Sequence, residues 1–183
     1  GTNYPVNALY SVGTLSFENK NNNILNCNVY NFFSPALATT GLNISSNNTN
    51  WLISGNKLYL TSAFTYTTAN THKAILVTSG NNYTVTGNTI GYSSAASTGT
   101  MTMGGTIATR FVGIELSVGT LTASSVQNNT IAAITLSTSS GATTTYGIIC
   151  GINITGGNVS VNNNLIGATT GVGSISGYPT TTG

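Results

Sequence analysis

The side chains able to do acid–base or ligand chemistry in this 183-residue sequence are few: Glu18, Glu115, Lys20, Lys57, Lys73, Arg110, His72 and the thiols Cys27 and Cys150. There is no Asp. Glycoside hydrolysis needs two carboxyl groups about 5 to 9.5 Å apart, and Glu18 and Glu115 belong to distant parts of the chain. Glu115 stands between Ile114 and Leu116, so alternation points it outward as a solvated acid. One His and two Glu do not assemble a Ser-His-acid triad. One His and two distant Cys fall short of a zinc ligand set, and two Glu fall short of calcium's. The expectation is a protein with no catalytic residues, metal or cofactor. His72 and Lys73 adjoin, and Arg110 falls at a similar place in a later repeat. Together they form a candidate basic cluster for an anionic sugar or acidic partner, with scattered surface charge as the plainer reading. Tyr59, Tyr66, Tyr92 and Tyr146, with Trp51, either stack on sugar rings or fill the interior.

The elements that position these residues are read from composition and repetition. Charged residues are 3% of the chain, against roughly 25% in an average soluble domain. Asn, Ser and Thr make up 78 residues, and Gly adds 22. Four scattered bases cannot neutralise a run of phosphates, which argues against nucleic acid as a partner. No apolar run approaches the roughly 18 residues of a membrane helix. Helix formers are scarce while Thr, Val, Ile, Tyr and Asn abound, so the composition is all-β. The chain lacks an initial Met and a signal peptide, and reads as a mature or excised piece.

A pattern recurs: aliphatic, any residue, Gly or Asn, then Asn, any residue, and Ile or Leu. Its copies are Ile53–Leu58, Val85–Ile90, Val126–Ile131 and Val161–Ile166, with a degenerate one at Asn21–Ile24. The anchors Asn22, Asn56, Asn88, Asn129 and Asn164 are 34, 32, 41 and 35 residues apart. A second element alternates with the first: Gly41-Leu42-Asn43-Ile44, Ala74-Ile75-Leu76-Val77, Gly113-Ile114-Glu115-Leu116, and then a copy starting at either Gly147 or Gly151. Two elements in fixed order predict stacked coils. Each coil turns at its Asn, whose amide joins a ladder at the strand spacing of roughly 4.8 Å. Alternate aliphatics then stack into one core. Length varies in the stretches 34–40, 61–72, 92–110 and 137–146, placing insertions on one face. Cys27 and Cys150 fall about three coils apart, too far for a disulfide, so both are expected as free thiols with Cys150 buried.

The alternation of Val-x-Asn-Asn-x-Ile with Gly-Ile-x-Leu resembles the right-handed parallel β-helix (pectate-lyase-like) repeats of secreted bacterial surface and adhesin-type proteins. The resemblance spans residues 21–175 and implies a single β-solenoid domain over 1–183, of about five coils. The period exceeds the twenty-odd residues usual for such coils, which implies wide coils or inserted loops. The family's lyases and hydrolases imply clustered carboxylates, which this sequence lacks. The function expected is therefore structural or adhesive: part of an extracellular filament, stalk or adhesin. It would self-associate by coil stacking or form a segment of a larger chain. The alternatives are a β-helix that binds or degrades carbohydrate, with a surface glycan as partner, and, more remotely, an ice-binding Thr face.

Overall fold

The structure is a computed structural model that describes residues 4–139, 147–168 and 171–180. Among these residues it is all-β apart from one 3-10 turn at Gly171–Gly173. The chain visits the same sheets in the same order on successive passages, so each passage adds one strand to each sheet. All strand pairing within the sheets is parallel.

The first sheet stacks Asn7–Ser11, Thr40–Ile44, Thr71–Val77, Arg110–Ser117 and Ile149–Gly156. The second stacks Asn23–Leu25, Leu52–Ser54, Thr84–Thr86, Ser124–Gln127 and Val159–Asn162. The third stacks Asn28–Tyr30, Lys57–Tyr59, Thr89–Gly91, Thr130–Ala132 and Leu165–Ile166. The fourth holds Phe64–Thr65, Met101–Gly104, Ile134–Thr138 and Ile175–Pro179, and a small fifth pairs Asn19–Lys20 with Asn48–Thr49. The passages define five layers, and the fourth sheet begins in the second of them.

The registers turn the sequence repeat into columns. Leu9, Leu42, Ile75, Ile114 and Ile152 are mutual partners along the first sheet. Ile24, Ile53, Val85, Val126 and Val161 align along the second, and Val29, Leu58, Ile90, Ile131 and Ile166 along the third. In the inner layers these side chains are fully buried. Burying each such aliphatic contributes roughly 1.5–3 kcal/mol, so the columns supply the main drive for stacking. Ile114 pairs with Ile152, which settles the open copy of the second element: it starts at Gly151.

The small residue of that element also has a physical cause. A Cβ on Gly41 would lie 2.9 Å from Leu58 Cδ2, and one on Gly113 would lie 2.9 Å from Ile131 Cδ1. Aliphatics of the third sheet cross the core and occupy this space.

Part of the stretch 92–110 is not an insertion. Met101–Gly104 is a strand whose Met101 and Met103 are buried. Length variation concentrates where the third sheet hands over to the fourth. The connections there are residues 60–63, 92–100, 133 and 167–174. The longest, 92–100, folds back so that Lys57 Nζ donates to the Ala95 carbonyl.

Candidate functional site

The most developed arrangement of polar side chains runs up the corner between the second and third sheets. Asn56, Asn88 and Asn129 are at most 1% exposed. The main-chain N–H of Asn88 donates to Asn129 Oδ1 at 3.0 Å, and Asn88 Nδ2 donates to the same oxygen at 2.9 Å. Asn88 Nδ2 also donates to the Ile53 carbonyl at 2.9 Å. Asn56 repeats this toward Asn88, and Asn129 toward Asn164. Each inner amide is thus fully partnered in the core, where an unmet donor or acceptor would cost about 1–3 kcal/mol.

Two features differ from the sequence reading. Asn22 is not the first rung. Ile24 pairs with Ile53, which places Cys27 opposite Asn56, and the Cys27 N–H donates to Asn56 Oδ1 at 2.9 Å. The pattern survives as Ile24-Leu25-Asn26-Cys27-Asn28-Val29, with a thiol in the amide's place. Nor is the ladder Asn the residue that makes the corner. Its predecessor does so: Asn26, Gly55, Gly87, Asn128 and Asn163 all have positive φ, between 53° and 68°. Asn and Gly are the residues that tolerate this left-handed region. A second, exposed asparagine series was not foreseen. Asn82 Nδ2 donates to Asn50 Oδ1 at 2.7 Å, and Asn50 Nδ2 donates to Asn21.

The candidate ligand residues do not form one face. His72 is 1% exposed and points into the core, where its ring lies 3.8 Å from that of Tyr66, itself 2% exposed. The Thr39 main-chain N–H donates to His72 Nδ1 at 3.2 Å, and the Thr39 hydroxyl lies 2.8 Å from the same nitrogen. That bond makes Nδ1 the acceptor of a neutral ring. Desolvation by burial lowers the His72 pKa to about 4. Burial likewise raises the pKa of Tyr66, against a hydrogen bond to Thr39 that lowers it.

Lys73, the next residue, belongs to another environment. Its Nζ lies 2.7 Å from Glu115 Oε1, and Asn153 Nδ2 donates to Glu115 Oε2 at 3.0 Å. Glu115 is therefore not the solvated acid the alternation implied. Its side chain is 13% exposed and paired. Arg110 sits opposite Thr71 at the start of the same sheet. Tyr59 is buried and stacks on Tyr30 with ring centroids 5.5 Å apart. Tyr92 is half-buried at a corner with φ 62°. Tyr146 lies outside the described residues. His72 and Lys73 thus face apart, because neighbouring positions on a strand serve opposite sides of the sheet, whereas Arg110, opposite Thr71, shares a side with Lys73.

Both cysteines are free. Cys27 is exposed, and Cys150 is half-buried rather than fully buried. Burial, then the charge of Glu115, raises the Cys150 pKa, so this thiol is held protonated.

A groove of about 500 Å³ runs along the fourth sheet. Thr65, Thr67, Thr102, Thr106, Ser137 and Thr180 bring hydroxyl groups to it, and Tyr66 and Met103 are among its other lining residues. No helix of the described residues is long and apolar enough to cross a membrane. Among the described residues no group of three or more His, Cys, Asp or Glu could hold a metal ion.

No family model matches the sequence, and comparison with curated proteins and with solved structures finds no match. The resemblance to pectate-lyase-like repeats is carried by the repeat alone.

Proposed function

We propose that the chain is a parallel β-helix, a β-solenoid of about five coils, and that its work is structural. In this reading it forms a stiff rod within an extracellular filament, stalk or adhesin of a cell surface. The observation that carries the reading is the continuous amide ladder from Asn56 to Asn164, which runs beside the stacked aliphatic columns. Backbone pairing in four sheets, a buried aliphatic core and a satisfied polar column resist bending and shear together. The charge-poor surface agrees with this role. Lys73 and Glu115 neutralise each other, and little repulsion opposes lateral or axial packing.

A second reading is favoured by the hydroxyl-lined groove on the fourth sheet: a carbohydrate-binding β-helix. Negative-stain electron microscopy of the native preparation, with a glycan array on the purified chain, separates the two. Long rods and a blank array support the structural reading. Dispersed particles that bind one polysaccharide class overturn it.

A further inference from the structure

Residues 34–39 lead into the strand Thr40–Ile44 without forming a strand of their own. Pro35, Ala36, Leu37 and Ala38 are exposed, and Thr39 at the end is fully buried. The segment lies against the next layer. The Thr67 N–H and hydroxyl donate to the Pro35 carbonyl at 2.7 and 3.1 Å, and Asn70 Nδ2 donates to the Ala36 carbonyl at 3.1 Å. The Lys73 N–H donates to the Thr39 carbonyl at 2.9 Å. The bond from the Thr39 N–H to His72 Nδ1 runs the other way.

That bond fixes where an added proton goes. Nδ1 is the acceptor, so the neutral ring carries its hydrogen on Nε2, which is buried and has no hydrogen-bond partner among the described residues. The second proton enters at Nδ1 and turns the acceptor into a donor. Two N–H groups then face each other across the contact. The Thr39 hydroxyl, 2.8 Å from Nδ1, can rotate to accept, but the main-chain N–H cannot turn away while the segment stays in place. Among the described residues no charged group faces the new cation. Tyr66 is the titratable group against the ring, and burial holds its phenol neutral. Phe111 is the strand neighbour in the next layer. Lys73, paired with Glu115, serves the other side of the sheet, and Arg110 shares that side.

We infer that residues 34–39 form an acid-released strap: the Thr39–His72 bond holds them down in the neutral protein, and a proton on Nδ1 lets them lift locally while the aliphatic columns stay closed. A segment with exposed side chains and no strand of its own is the kind that opens without global unfolding. Its side-chain ties from Thr67 and Asn70 are exposed, so water can replace them. Tyr66 and Thr67 also line the groove of the fourth sheet, so the lifted strap frees one wall of that groove. The lifted form binds the proton with the ordinary pKa of about 6.5, the closed form only near 4. The lifted form therefore gains about tenfold for each pH unit of fall between these values, roughly 300-fold in all.

The test is amide hydrogen exchange by NMR on the whole chain from pH 7.5 to 4, with rates corrected for their intrinsic pH dependence. The Thr39 amide should lose protection about tenfold per pH unit below about pH 6.5. Low denaturant should not accelerate it, whereas the Ile75 and Ile90 amides should exchange through the denaturant-sensitive global opening. His72→Asn places an amide oxygen near the position of Nδ1, where it accepts from Thr39 without titrating, and should flatten the Thr39 profile. A flat profile in the wild type, a slope that survives His72→Asn, or a Thr39 opening with the denaturant dependence of Ile75 overturns the inference. A second measurement needs no variant. His72 is the one histidine of the chain, so the ring ¹⁵N signals are its own. They should show the Nε2–H tautomer at neutral pH, and a ring protonated on Nδ1 there overturns the strap.

Discussion

Asn88 and Asn164 share a residue type and a ladder but not a burden. Replacing Asn88 by Ala strands the Asn56 donors, the Ile53 carbonyl and part of the Asn129 amide in the core. The expected loss in chemical denaturation is about 3 kcal/mol, against about 1 kcal/mol for Asn164→Ala at the open end. His72 sets the acid limb of stability. The folded ring stays neutral down to about pH 4, whereas the unfolded ring takes a proton below about 6.5. Stability is therefore full above about pH 6.5 and falls as pH drops toward 4, by roughly 3 kcal/mol in all. Denaturation midpoints measured across this window should follow that slope, and His72→Gln should flatten it. A wild-type profile already flat between these pH values would refute the buried neutral ring.

The elements built on a strict repeat were legible, and the others were not. The first three sheets hold one aliphatic column or more each at constant register, so the anchors Asn56, Asn88, Asn129 and Asn164 could be aligned from sequence. The fourth sheet was hidden because its entry connections run to four, nine, one and eight residues, which leaves no fixed offset to detect. The inward turn of His72 was hidden too, since Ala74 and Ile75 are both buried and break the alternation that assigns faces. Cys27 was hidden because a thiol there breaks the Asn pattern, although its main-chain N–H still donates to Asn56 Oδ1. The small-residue column makes a prediction at this scale. A Cβ on Gly113 would lie 2.6 Å from the Gly151 carbonyl as well as against Ile131. Gly113→Val should therefore lower the melting temperature far more than Gly156→Ala, whose new Cβ would meet only Ser117 Oγ at 3.6 Å. Equal effects in thermal melts would refute the crossing of the core by the third sheet's aliphatics.

As a whole molecule the stack is a directed object. Every anchor from Cys27 to Asn129 gives its main-chain N–H to the layer that follows, so the ladder runs in one direction along the stack. That asymmetry has a consequence in time. Peeling off the last layer uncovers one anchor, Asn129, and repeats the same open end one step further in, so opening can run inward as a sequence of similar steps. The opposite end is held by Tyr4 and Phe33 on Phe64, with ring centroids 5.1 and 4.3 Å away. Amide hydrogen exchange should then be graded along the axis. Asn164 should exchange fastest, Asn129 next, and Asn88 and Asn56 slowest. Uniform protection would mean that the layers open together. A gradient would mean that the molecule frays from one end, and that whatever covers this end slows the clock for the entire stack.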